Sequence, residues 1–254
     1  MNHSPFSQDD DLEMSADGGF DHPASEADAL FFVSCARPWL TARFVRPQRM
    51  LSWALARPGF QTADQVVWLE VEDDDLPVTV DPAALLEARM QAAGFGDAVG
   101  MMTSRDVRRR RVAGAASGGA SARCLATVGL GNASRVGEPS PPPREAWGTI
   151  NLLVACSVPL TDAALVEALS IAVEARTAAV MASGRAVDGG AATGTGTDCV
   201  VVAAPLGDPA ANFAGLHTDV GVAIGAAVYE AVKNGACDWM AHTKDHNSAD
   251  EGRP

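Results

Sequence analysis

From Ala192 to Pro205 the chain reads ATGTGTDCVVVAAP, with threonines at every second position ahead of an apolar run. Along an extended chain successive side chains point to opposite faces, so Thr193, Thr195 and Thr197 share one face while Gly194 and Gly196 leave the other bare. One face offers hydroxyls, and the other admits close approach of another group. Asp198 closes the run, and farther along, in AGLHTDVG, stands His217, the only histidine between residues 29 and 237. Histidine is the side chain type whose imidazole can both accept and return a proton near neutrality. Hydroxyl, carboxylate and imidazole are the parts of general-base or nucleophilic chemistry, although an internal threonine is a poor nucleophile without an adjacent base.

Phosphate binding does not fit this run. A dinucleotide fingerprint needs a third glycine where Cys199 stands, and a phosphate loop needs Gly-Lys-Ser/Thr. Both motifs also follow a strand and open a helix, whereas these glycines lead into a strand.

The elements that must position these residues are legible in outline. LFFVS, MLSWALA and QVVWLEV suit strands, broken by Pro38, Pro47 and the Pro58-Gly59 turn. Asp81-Pro82 starts a helix near 81 to 93 that Gly94 closes. AVGMMTS and RRRRVAGAAS, joined at Arg105-Asp106, read as a hairpin, and ARCLATVGLGNAS as the next strand, a meander that favours antiparallel pairing. WGTINLLVACSVPL reads as a strand. The clearest helix, near 161 to 183, is capped by Thr161 and closed by Gly184, with Glu174 on one face. A last helix, near 217 to 233, carries Gly221 and Gly225 one turn apart for close packing on the sheet. The fold class expected is α+β: a single domain with a mainly antiparallel sheet and helices packed on it.

The 254 residues carry a net charge of −13, unevenly placed. Residues 1 to 28 hold eight acids and no Lys or Arg, and residues 238 to 254 contribute a net −2, which leaves −3 for residues 29 to 237. The reading is a disordered acidic tail over 1 to 28, a catalytic domain over 29 to 237 and a polar C-terminal tail over 238 to 254. Neither end favours nucleic acid. With no signal sequence and no apolar run of ~18 residues, a cytoplasmic protein without membrane partners is expected. Five scattered cysteines form no CxxC pair and read as reduced, mostly buried small hydrophobes. His242 and His246, four apart, lack a third ligand nearby, so no metal site is expected. The Arg105, Arg108 to Arg111 run reads as a solvated strand before an anion site.

Six stretches in order, MTSRDV, ATVGLGNASRVGE, GTINLLV, LTDAALVEALSIAVEARTAAV, ATGTGTDCVVVA and AGLHTDVG, resemble the adenosylcobinamide amidohydrolase family over roughly residues 30 to 235. The resemblance implies hydrolysis of the amide that joins a corrin propionate to aminopropanol, releasing adenosylcobyric acid in cobalamin salvage. It also implies a small corrinoid partner whose cobalt is carried by the substrate, and no cofactor of the protein's own. Self-association is left open. A non-catalytic corrinoid-binding protein is the competing class.

Amide hydrolysis needs a proton-transfer group, a nucleophile and donors for an oxyanion. His217 is the candidate proton shuttle, against a packed helix-start residue. Asp198 either orients that imidazole or ties down the glycine-rich turn. Thr195 is the candidate nucleophile among the hydroxyls, and Thr193, Thr197, Gly194 and Gly196 are candidate contacts to the corrin rim. Asn132 and Asn151, at strand ends, suit oxyanion or amide hydrogen bonds, against turn formation and edge exposure. Glu174 joins them only where its helix face meets the pocket, and otherwise stands on a solvated face. His217, Asp198 and the threonine run are expected to converge on one pocket.

Overall fold

A computed structural model describes residues 30–77, 79–139 and 148–250. In chain order the elements are β1 (Phe32–Ala36), β2 (Trp39–Ser52), β3 (Gly59–Glu70), α1 (Pro82–Ala92), β4 (Val99–Thr103), β5 (Arg111–Ser117), β6 (Ala120–Val128), β7 (Ala133–Ser134), β8 (Ile150–Cys156), α2 (Asp162–Ala182), β9 (Ala186–Val187), β10 (Gly190–Ala191), β11 (Gly194–Thr195), β12 (Cys199–Pro205) and α3 (Asp219–Asp250). One eight-stranded sheet runs β4-β3-β2-β12-β8-β6-β5, with β1 also on β2. Within it β3–β4 and β8–β12 are parallel and the other pairings antiparallel, so the α+β, mainly antiparallel expectation holds.

The sheet doubles back on itself at β2. Its pairing with β3 shifts register between Arg43 and Gln48, and across that irregularity its other edge changes partner, from β1 at Trp39–Arg43 to β12 at Gln48–Ser52. Pro47 therefore interrupts the ladder without ending the strand, as proline at a bulge can. The consequence is seen in the packing. Alternate residues of β6, β8 and β12 (Leu125, Leu153, Val201) meet Leu40, Val66 and Trp68 in one core. Their other faces (Ala126, Leu152, Val202) lie under α2 and α3. α1 backs β3 and β4 through Leu86 and Met90. Buried on both faces, β8 and β12 carry almost only apolar side chains, each Val or Leu contributing about 1.5–3 kcal/mol of burial.

The expected hairpin between β4 and β5 does not form. β4 joins β3 in parallel, after the α1 crossover, and only β5 and β6 make the hairpin. Local spacing suggested a meander, but the α1 crossover lets β4 return beside β3. The caps behave as read: Asp81 accepts from Ala83 N–H, Thr161 from Ala164 N–H, and Gly94 and Gly184 take positive φ.

α3 runs to Asp250, so residues 238 to 250 are helix where a polar tail was expected. Gly235 does not end it, because a Cβ there would stand 2.6 Å from Val128 Cγ2, and the glycine serves close packing on β6. Gly225 likewise faces Ile171 of α2, and Gly221 the Gly215 carbonyl, neither of them the sheet. The arginine run explains the helix extension. Arg105 (2.8 Å), Arg109 (3.4 Å) and Arg111 (2.7 Å) converge on Asp238, and Arg108 pairs with Asp106, so the run is neither a bare solvated strand nor an anion site. Residues 1 to 28 lie outside the described residues. No helix among the described residues is long and apolar enough to cross a membrane.

Candidate active site

At one end of the doubled sheet β3 and β4 end, β8 and β12 begin, and a cavity of about 460 Å³ opens between them. Its walls are mainly apolar: Trp53, Leu55, Val71, Leu76, Met101 and Met102. The polar edge comes from Thr103, Ser104, Thr149, Asn151, Thr197 and Asp198, with Glu72 just beyond β3.

Asn151, only 1% exposed, clamps the two layers of the sheet. From the start of β8 its Nδ2 donates to the Met102 carbonyl of β4 at 2.6 Å, and Thr149 Oγ1 lies 3.1 Å from its Oδ1. A primary amide has two N–H donors, and one bond from this Nδ2 is seen among the described residues. Edge exposure, the alternative reading of Asn151, is thus not what the fold does with it. Thr149 Oγ1 also donates to the Thr197 carbonyl at 2.8 Å, joining the β8 entry to the Gly/Thr run. Alongside, Gly148 approaches the loop after β6 so closely that a Cβ would stand 2.5 Å from Gly131 N, a contact only glycine permits.

Asp198 is saturated. Its Oδ2 accepts from Thr195 N–H at 3.0 Å and its Oδ1 from Ile150 N–H at 3.2 Å; the Thr195 hydroxyl and the Arg176 guanidinium of α2 bond it as well. With a side chain 5% exposed, it ties the glycine-rich turn to β8 and α2, the second of its two sequence readings. Burial pushes the Arg176 pKa below its ordinary value. Here also is the group that the bare glycine face admits: a Cβ on Gly194 would lie 2.6 Å from Asp198 Oδ2 and 2.9 Å from Arg176 Nη1. Gly196 has nothing within 4 Å and faces open space at the cavity.

Each threonine hydroxyl is taken up in holding this turn. Thr193 Oγ1 accepts from Val136 N–H at 2.8 Å, Thr195 bonds Asp198, and Thr197 donates to the Gly148 carbonyl at 3.3 Å with Asn132 Nδ2 3.5 Å away. The extended run is interrupted after the β7–β11 pair, so the three hydroxyls do not form one shared face. Asn132 sits behind Thr197 and does not line the cavity; its Oδ1 has no partner among the described residues. Glu174 stands on the solvated face of α2 beside Ser170, away from the cavity.

His217 is not brought to this site. It is exposed in the loop before α3, whose first residue, Asp219, meets Ser117 and the β5–β6 turn. That turn lies at the opposite end of β8 from Asn151, roughly 20 Å away at ~3.3 Å per residue. The connection from β12 to α3 must cross to the far edge before the helix can pack back over β5 and β6, and this carries the histidine with it. Of the ten expected site residues, the cavity wall holds Asn151, Gly196, Thr197 and Asp198. Thr193, Gly194 and Thr195 lie just behind it.

Sequence reading passed over Arg176, Glu72, Trp53 and Ser104. Arg176 did leave a signal, as the only basic residue in α2. Trp53 Nε1 donates to the Asp198 carbonyl at 2.7 Å and the ring forms a cavity wall. Cys199 also lines the cavity, but burial pushes its thiol up to about 12, so it is no thiolate nucleophile near neutrality. Cys124 and Cys156 are buried as expected, whereas Cys237 is exposed. Among the described residues no three His, Cys, Asp or Glu side chains are grouped to hold a metal ion.

The family model for adenosylcobinamide amidohydrolase matches residues 24–244. The chain belongs to that family. A curated member, the adenosylcobinamide amidohydrolase of Halobacterium salinarum, is 32% identical over 189 residues, 69% of this chain and 74% of its own. Among solved structures, a beta-aminopeptidase of Burkholderia sp. covers 80% of this chain and 78% of its own at 13% identity, TM-score 0.40. The L-aminopeptidase D-Ala-esterase/amidase of Ochrobactrum anthropi covers 81% and 82% at 13% identity, TM-score 0.35. Membership makes the chain an amide hydrolase, and the cavity that contains four of the expected residues is its candidate active site.

Proposed function

We propose that the chain hydrolyses adenosylcobinamide at its aminopropanol amide, giving adenosylcobyric acid and the free amine in cobalamin salvage. Family membership carries this reading, and the cavity is chemically suited to it. A corrinoid is a broad apolar macrocycle fringed with amides. The apolar wall from Trp53 to Met102 suits its body, and the hydroxyls and amide at the polar edge suit its fringe. A cavity of about 460 Å³ takes a drug-sized group, so the amide arm enters while the ring rests at the mouth, beside Gly196. The second N–H of Asn151 is the donor for the amide oxygen as it gains charge. The cobalt travels with the substrate, and the protein supplies no cofactor.

Incubation of the purified protein with adenosylcobinamide, followed by mass spectrometry, tests the proposal. Adenosylcobyric acid and 1-amino-2-propanol in equal amounts are expected. Corrinoid binding without product would favour the non-catalytic binding protein instead.

A further inference from the structure

Three ionisable side chains line the cavity among the described residues: Glu72, Asp198 and Cys199. Asp198 has its carboxylate filled by four donors, and a carboxylate whose lone pairs are occupied in a buried ion pair is a poor proton acceptor. Cys199 keeps its proton near neutrality. Glu72 differs from both. Its side chain is exposed at the cavity, and no described residue donates to its carboxylate.

The backbone of Glu72 is nonetheless fixed. Val71 N–H donates to the Thr103 carbonyl at 2.9 Å, extending the β3–β4 ladder by one step, which sets Val71 beside Ser104 with Glu72 the next residue on the cavity lining. Glu72 N–H itself donates to Asp75 Oδ2 at 3.0 Å, and Asp75 is held in turn by Arg89 of α1 at 3.4 Å. A free carboxylate on a pinned backbone, facing an apolar cavity, is the arrangement that proton transfer requires.

We propose that Glu72 is the general base and then the general acid of the amide hydrolysis, an assignment that rests on the amidohydrolase reading above. The Glu72 carboxylate takes a proton from water as the water oxygen bonds to the amide carbon, and the carbonyl π electrons move onto the carbonyl oxygen. When that oxyanion collapses, the C–N bond breaks with its electron pair on nitrogen. The proton on Glu72 passes to that nitrogen, leaving a carboxylic acid, a free amine and the carboxylate as it began.

The test compares wild type, Glu72→Gln, Glu72→Asp and Glu72→Ala on adenosylcobinamide, with corrinoid affinity read separately from the visible absorbance change on binding. Glu72→Gln should lower kcat by ~10²-fold or more with affinity within a few fold, and Glu72→Asp should recover part of the loss. Added formate should raise the turnover of Glu72→Ala at least several-fold. If Glu72→Gln turns over like wild type, or loses only affinity, the assignment falls while the amide-hydrolysis reading stands. If Glu72→Gln melts far below wild type, the formate experiment decides alone: rescue supports the assignment and its absence overturns it. A wild-type protein that binds but does not cleave adenosylcobinamide removes the functional reading and this assignment together.

Discussion

Where β8 and β12 begin, polar side chains hold one another in place: Asn151 ties β8 to β4, Asp198 gathers donors from β8, α2 and its own turn, and Thr149 links β8 to the Gly/Thr run. At the opposite end of the same strands, His217 stands exposed in the loop before α3, with Phe213 and Leu216 exposed nearby in sequence. The second end has the residue type most often used for proton transfer, and the first has none. What distinguishes them is fixation. A catalytic group acts only when held within hydrogen-bond reach of the reacting atoms, and the end that fixes its side chains also encloses a cavity.

The strongest way to break this contrast is to remove the carboxylate that organises the cavity end. Asp198→Ala leaves the Arg176 guanidinium buried without its partner and frees the Ile150 and Thr195 donors. Such a loss costs about 3–5 kcal/mol, or roughly 10 °C in melting temperature. Calorimetry together with the hydrolysis assay should find both stability and turnover reduced. Arg176→Met should cost less, because Asp198 keeps three of its four donors. Equal melting temperatures for Asp198→Ala and wild type would show that the carboxylate does not organise this end.

The same residues show what the sequence made legible. Helix caps, the Gly/Thr strand mouth and the apolar strands follow from local chemistry, so Asp81, Thr161 and the β12 run could be placed from spacing alone. The partner of a bare glycine face could not. Gly194 is opposed by Arg176, 18 positions earlier on another element, and only the packing of α2 over the turn brings them together. The pairing of β4 with β3 was hidden for a related reason, since the alternation in AVGMMTS states that it is a strand but not which edge it joins. His217 was chosen for its chemistry, and chemistry carries no information about which end of a sheet a loop reaches.

A sharper and smaller perturbation separates the two glycines. Gly194→Ala places a methyl 2.6 Å from Asp198 Oδ2, inside contact distance, and the ion pair must shift to admit it. A cost of about 1–3 kcal/mol is expected, with turnover falling as the cavity wall moves. Gly196→Ala meets nothing within 4 Å and should stay within about 0.5 kcal/mol of wild type, any effect appearing in KM for the corrinoid. Matching melting curves for the two variants would mean that Gly194 is not fitted to the Arg176–Asp198 pair.

The smallest effect is expected from the residue whose chemistry first drew attention. His217 is exposed, lies roughly 20 Å along the sheet from Asn151, and belongs to a loop that bonds the start of α2 through Ala211 and Ala214 and leads into Asp219 at the β5–β6 turn. Proton transfer reaches across a hydrogen bond or one bridging water, a span far shorter than that. His217→Ala should therefore keep kcat and KM within about twofold of wild type and move stability by no more than about 0.5 kcal/mol, as exposed substitutions usually do. The measurement bears on the whole contrast between the two ends. A fall in kcat of ~10²-fold with affinity intact would mean that the reacting amide is reached from the α3 end, and the site would have to be sought there.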